Sequence, residues 1–279
     1  MIRHAYAAGT FYPSNDKELK NLIEHCFTHE KFGCGFPRAE ERKKTIGIVA
    51  PHAGYVYSGY VAAHAYKELA ESGKPETIII LGPNHTGYGS GVALMNEGIW
   101  ETPLGGIEID NELANKILKS AEIIDVDEMA HTYEHSIEVQ LPFLQYIFDN
   151  FKIVPICMML QDIETSREVG KAIAKACKDK DVRIVASSDF THYEPHESAE
   201  EKDSLAIERI KKIDAEGFYK VINERSISIC GPGPIMSLIF AARELDVKNA
   251  KLLKYMTSGD VTGDKRAVVG YAAIAFYKE

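Results

Sequence analysis

The chain has 279 residues, enough to bury a sizeable core as one large α/β domain or two small ones. Its 32 basic and 41 acidic residues leave a formal charge of -9 with no basic cluster, which disfavours a nucleic-acid partner. No apolar run approaches the roughly 20 residues that span a bilayer, and the start, MIRHAYAAGTFYP, is too polar for a signal peptide, so a cytoplasmic protein with no membrane partner is expected.

Residues 7–13 read as a loop carrying the aromatics Phe11 and Tyr12. Ser14 or Asn15 then caps a helix whose apolar face is Leu19, Leu22, Ile23, Cys26 and Phe27. Residues 30–44 are charged and contain Gly, a loop. The run IGIVA at 46–50 stops at Pro51 with His52 next, as a buried strand does. Ser58 fits the N-cap of a helix to about Ser72. A second such strand, TIIIL at 77–81, ends in Gly82-Pro83-Asn84-His85. The NHTGYGSG loop that follows lacks the Lys-Ser/Thr of a P-loop. Short strands at 91–96, 99–102 and 107–109 suit an antiparallel sheet edge, and Asp110 caps a helix to about Ala121. Residues 134–148 repeat apolar positions at helical spacing, with Pro142 inside.

Strand, helix and strand follow at 153–159, 162–178 and 182–188. The last ends in Ser187-Ser188-Asp189, with His192 just beyond. Helices are expected over 197–212 and 214–223, and a Gly-Pro turn at 228–234 leads into a helix over 235–245. Strands at 251–256, ending in Thr257-Ser258-Gly259-Asp260, and at 267–277 close the chain. Strands and helices alternate with no linker or repeat, which favours one α/β domain over 1–279. The five cysteines, Cys26, Cys34, Cys157, Cys177 and Cys230, are odd in number and contain no C-x-x-C pair. That argues against a disulfide framework and a thiolate zinc cage.

Four strands thus deliver a polar residue to the carboxyl edge of a sheet, where open α/β folds bind ligands. His52 and His85 supply two imidazoles and Asp260 a carboxylate, the donor set of a two-His-one-carboxylate iron site. The blander alternative is that each His hydrogen-bonds a strand end. Asp189 and His192 suit an acid/base pair, or a local loop contact. His131-Thr132-Tyr133-Glu134-His135 matches H-x-x-E-H, in which two His one helical turn apart bind zinc and Glu acts as base. The stretch before it shows no helical face. Tyr55 and Tyr57 line a pocket or simply pack.

The segments AGTFYPS, IVAPHAGYVYSGYVAAHAY, ILGPNH, EHSIEVQLPFL, SSDFTHY, ICGPGPI and GYAAIAF together resemble the Memo family, over nearly the whole chain. Its prokaryotic branch is called AmmeMemoRadiSam system protein B. The family is similar in fold to the LigB-type class III extradiol dioxygenases, non-haem iron enzymes that open catechol rings. The resemblance implies a mixed, largely parallel central sheet flanked by helices. It also implies Fe(II) or Cu held by His52 and His85, with His192 as acid/base and Asp189 beside it. Phe11 and Tyr57 fall where the animal member has cleft-lining aromatics implicated in phosphotyrosine-peptide binding. Asn84, His135 and Cys230 join them as ligand-binding candidates. The animal member's third metal residue is a Cys. Counted back without gaps from GYAAIAF, that position falls on Val261, which leaves Asp260 as the carboxylate in its place. Pro232 stands where some relatives carry Arg.

The branch's name implies a functional link to a radical-SAM protein and an AMMECR-type protein. The expected function is a metal-dependent redox enzyme taking a small molecule or peptide in a dioxygenase-like cleft. Its rivals are a module that binds a peptide or metabolite without turnover, which Val261 favours, and a zinc hydrolase through His131, Glu134 and His135.

Overall fold

The computed structural model describes residues 1–38, 44–178 and 180–278; the loop expected over 30–44 falls outside them at 39–43. After the short strand β1 (Ile2–Arg3), the Asn15 side chain accepts from the backbone of Lys17 and Glu18 and opens α1 (Asp16–Thr28). Strand β2 (Thr45–Ala50) leads into α2 (Tyr55–Ala70), and β3 (Thr77–Pro83) into β4 (Val92–Leu94), β5 (Ile99–Thr102) and β6 (Gly105–Glu108). Asp110 caps α3 (Asn111–Leu118), which is followed by β7 (Asp125–Val126), the single turn α4 (Met129–Thr132) and α5 (Leu141–Ile147). Then come β8 (Lys152–Met158), α6 (Ile163–Cys177), β9 (Val182–Ser187) and β10 (His192–Glu194). Three helices, α7 (His196–Lys211), α8 (Ala215–Glu224) and α9 (Pro232–Glu244), precede β11 (Asn249–Thr257), α10 (Ser258–Thr262) and β12 (Val268–Tyr277).

The large sheet has the order β10-β12-β2-β9-β3-β8-β4-β7, with β11 also paired to β12. Strands β2, β9, β3 and β8 are consecutive and parallel. Every residue of β2, β3 and β9 is buried, which is why those runs are mostly apolar rather than alternating, with Arg183 the one charged residue among them. Strand β12 is antiparallel to both β2 and β11, so β11 points the same way as β2 but one strand further out. Helices cover both faces. Ile79 and Leu81 join the core under α6 and α9, while Ile78 and Ile80 join the one under α1, α2 and α5. Each fully buried aliphatic of this kind contributes roughly 1.5–3 kcal/mol. Gly170 lets α6 close on α9, since a Cβ there would meet the Ser237 carbonyl oxygen at 2.5 Å. Strands β1, β5 and β6 form a separate three-stranded sheet. The α/β architecture with a mixed sheet between helices is therefore the one expected, with its parallel strands gathered at the centre and antiparallel pairs on both sides of them.

Two helix starts differ from expectation. Helix α2 begins at Tyr55 behind Gly54, and the Ser58 hydroxyl donates back to the Ala53 carbonyl at 2.9 Å instead of capping. The helix expected over 134–148 is broken: a 3-10 turn spans Glu138–Gln140, and α5 starts at Leu141 with Pro142 in its first turn. Pro has no N–H to give an earlier turn, so the helix begins where that loss costs nothing. Among the described residues no helix is long and apolar enough to cross a membrane.

Candidate metal centre

Because β2, β9 and β3 lie side by side, their carboxyl ends bring three polar segments to one rim. His52 comes two residues after β2, His85 two after β3, and Ser187 closes β9 with Asp189 beyond it. The His52 and His85 ring centroids are 5.2 Å apart, inclined at 77°. Cys230, in the turn entering α9, places its Sγ 3.2 Å from His52 Nε2. The turn reaches that close because residue 231 is Gly; a Cβ there would stand 2.6 Å from the Ser187 carbonyl oxygen. One donor atom from each of His52, His85 and Cys230 lies within 4.8 Å of the others. His52 is buried, Cys230 half-buried and His85 exposed, so the cluster opens to solvent on the His85 side.

Glu134 orients His85. Its buried carboxylate accepts from the His85 backbone N–H, from His85 Nδ1 at 2.9 Å and from the Ser136 N–H at 2.9 Å. Burial alone would raise its pKa, but the His85 hydrogen bonds and the charges of His85 and His135 outweigh it and hold the group at about 2. An ionised carboxylate only accepts, so His85 Nδ1 carries a proton, and in the neutral ring that tautomer leaves Nε2 as the ligating nitrogen. His52 donates its backbone N–H to Asp189 Oδ1 at 2.8 Å, and its Nδ1 lies 2.8 Å from Ser187 Oγ. Burial, with His135, His85 and His192 nearby, holds its imidazole well below the usual range, in the neutral form that ligates. Burial and the neighbouring Asp189 push the Cys230 thiol up, so its proton would leave only on metal binding. Burial likewise raises the Asp189 carboxyl, against the N–H groups of His52 and Ala53. Two neutral imidazoles and a thiol that can ionise fit a soft or borderline transition metal.

The other expected residues fall around this core. His135 stacks between Phe11, at 4.3 Å, and His85, at 4.6 Å, and burial brings its imidazole down to about 4. Tyr57 is 42% exposed on the first turn of α2. His192 donates from Nδ1 to the Ser228 carbonyl at 2.8 Å, which leaves Nε2 as a proton acceptor. Asp189 and His192 were expected to pair. Among the described residues their hydrogen bonds go instead to different partners, although His192 acts to lower the Asp189 carboxyl. Asn84 spends its amide on the loop behind His85, accepting from the Thr86 and Gly87 N–H groups and donating to the Tyr88 carbonyl.

Two expectations need correction. Asp260 is not grouped with the histidines: its carboxylate takes the Thr257 N–H at 2.8 Å in the capping box of α10. Val261 beside it packs half-buried in the core. The third side chain grouped with the two histidines is Cys230 rather than Asp260. The H-x-x-E-H reading also fails, since α4 ends at Thr132 and Glu134 and His135 lie in the loop beyond it. His131 is fully buried against Trp100, with ring centroids 5.6 Å apart, away from the other two. Glu134 as partner of His85, and Ser187 and Gln140 behind His52, were not anticipated. Their signal was there: Ser136, Glu138 and Gln140 alternate with apolar residues in a stretch otherwise bound for the core. Cys230-Gly231-Pro232 also repeats the grammar of His52 and His85, a ligand type where the chain turns at the sheet edge.

A family model described as Memo-like protein matches residues 3–275. The chain is 50% identical over 280 residues to a MEMO1 family protein of Methanopyrus kandleri, covering 99% of each chain. It is 50% identical over 277 residues to one of Methanothermobacter thermautotrophicus, covering 99% of this chain and 100% of that one. The crystal structure of uncharacterized protein JW3007 from Escherichia coli K12 shares the fold at a TM-score of 0.54 and 14% identity, over 83% of this chain and 99% of that one. By the family match and by relatives at half identity along its whole length, the chain belongs to the Memo family.

Proposed function

We propose that His52, His85 and Cys230 hold a redox metal, iron or copper, and that the protein is a metal-dependent oxidoreductase acting on a small molecule in a dioxygenase-like cleft. The observation that carries this reading is the convergence of three donor atoms within 4.8 Å, with the far nitrogen of each imidazole already engaged by Glu134 or Ser187. A thiol in place of the expected carboxylate favours copper and iron over magnesium or calcium. When bound, the metal would supply a Lewis-acid centre able to change oxidation state. The remaining steps belong to the chain. Glu134 and Ser187 keep the two imidazoles aimed; His192, its Nδ1 fixed on Ser228, offers Nε2 to take a proton from a bound hydroxyl. Phe11 and His135 present a stacked aromatic wall on the open side.

Titration of the purified protein with Fe(II) or Cu under nitrogen tests this, beside His52→Ala, His85→Ala and Cys230→Ala. Each variant should lose more than the roughly 10–100-fold in affinity that removal of an outer partner costs. Equal binding by wild type and all three variants would sink the assignment. A second reading, in which the cleft holds a peptide or metabolite without turnover, draws on the exposed Tyr57 and on the Phe11–His135 stack. Metal-loaded protein that takes up no oxygen with catechols yet binds them would favour it.

A further inference from the structure

Behind His52 lies a buried hydrogen-bond chain that fixes more than the ring's position. Ser187 Oγ has three polar neighbours: the Ser136 carbonyl oxygen at 2.6 Å, Gln140 Nε2 at 2.8 Å and His52 Nδ1 at 2.8 Å. A hydroxyl has one hydrogen to give and two lone pairs to receive with. The Ser136 carbonyl can only accept, so it takes the hydroxyl hydrogen. The Gln140 amide is fixed by a second carbonyl: its nitrogen lies 3.0 Å from the Pro51 oxygen, where an amide oxygen would face another acceptor. That nitrogen therefore donates to Pro51 and to Ser187, and its oxygen receives the hydroxyl of the buried Tyr66. With one lone pair given to Gln140, the other on Ser187 is left for His52, and only an Nδ1–H can fill it.

We propose that Ser187 and Gln140 are positioning residues that lock His52 as its Nδ1–H tautomer, so that the Nε2 lone pair faces Cys230 Sγ before any metal arrives. The alternative tautomer would turn an N–H toward the sulfur and leave the fully buried Ser187 hydroxyl with a lone pair unfilled. The lock itself is a property of the metal-free chain; its consequence for affinity rests on the metal reading above. Outer partners of ligating imidazoles act in this way, through tautomer and ring orientation. The sequence marks Gln140 as a polar residue bound for the core but does not join it to Ser187 and His52, because the three lie on a 3-10 turn, a strand end and a loop.

Long-range proton–nitrogen correlation NMR on metal-free protein labelled at its ten histidines reads the tautomer directly, with His52 assigned by its loss in His52→Gln. Wild type should show a protonated Nδ1 and an unprotonated Nε2. Ser187→Ala should move His52 toward the Nε2–H form and lower Fe(II) affinity by about 10–100-fold. Ser187→Thr, which restores the hydroxyl, should bring the wild-type tautomer back, and Gln140→Met should show a smaller move in the direction of Ser187→Ala. An Nε2–H imidazole in wild type overturns the proposal without recourse to any variant. So does a folded Ser187→Ala that keeps both tautomer and affinity. A tautomer that shifts as stated in protein that binds no metal upholds the relay and defeats the metal reading instead.

Discussion

Glu134 and Glu138 are buried carboxylates four residues apart, and they face opposite tasks. Glu138 accepts from the Arg3 guanidinium, the Tyr12 hydroxyl and the backbone N–H groups of Tyr6 and Ala7. Arg3 in turn donates to the carbonyls of His131 and Glu134 and lies over the Trp100 ring at 4.5 Å. Every partner is internal, and the network closes on itself. Glu134 also accepts from backbone, but its side-chain partners are His85 and His135, and among the described residues the second nitrogen of His85 makes no hydrogen bond. A saturated network braces the fold, here by tying the amino-terminal segment to the loop that carries Glu134. A network that ends in unfilled lone pairs facing one another and a thiol marks a site.

The comparison is broken most forcefully at the brace. Glu138→Ala leaves the Arg3 guanidinium buried without its countercharge, and removal of one partner of a buried pair costs roughly 3–5 kcal/mol. Urea unfolding at pH 7 measures this. A loss below about 1 kcal/mol would class the pair with exposed ion pairs and remove the distinction drawn here.

Two histidines of the same pentapeptide sharpen it further. His135 stacks at the opening, whereas His131 is sealed under Trp100 with neither ring nitrogen in a well-formed hydrogen bond, the Ala93 backbone standing beside it. Burial, and then the Arg3 charge, push the His131 imidazole from 6.5 down to about 4. The folded chain therefore binds that proton less readily than the unfolded one. The associated stability is complete above pH 6.5 and is lost as pH falls toward 4, at most about 3 kcal/mol. His131→Leu should flatten this part of the profile, so that its urea midpoint drops less than that of wild type between pH 7 and pH 4.5. Parallel profiles would show that His131 is not titrating from a buried neutral form.

What was legible in the chain follows the same division. Mostly apolar runs, closed by Pro51 after β2, by Gly82-Pro83 in β3 and by Ser187-Ser188-Asp189 after β9, marked those strands, because burial on both faces favours apolar residues along their length. That placed His52 and His85 at one rim before any coordinates. Cys230 was visible as a cleft residue but not as the neighbour of His52, since its approach depends on α9 starting at Pro232 and on Gly231 closing against β9. Asp260 misled because a carboxylate after a strand serves equally well as a helix cap. The stretch 134–148 misled because its apolar residues keep helical spacing while Glu134 and Glu138 between them turn inward to His85 and Arg3 and break the helix. Periodicity reports which residues are buried; it does not say whether a buried polar residue is satisfied by its neighbours.

The smallest expected effect is the most discriminating. Glu134→Gln keeps the shape but turns an amide NH2 toward the N–H donors of His85 or Ser136, so that His85 is no longer held by a pure acceptor. Fe(II) affinity, read against a competing chelator, should fall about 10–100-fold, while the urea midpoint moves much less than in Glu138→Ala. Acid behaviour changes with it. The wild-type carboxyl, held at about 2 against an ordinary 4.5, contributes stability above pH 4.5 that is lost as pH falls toward 2, and the amide removes that portion of the slope. Unchanged affinity joined to a stability loss as large as that of Glu138→Ala would make Glu134 a second brace, because a carboxylate that aims a ligand must reveal itself in binding before it does so in folding.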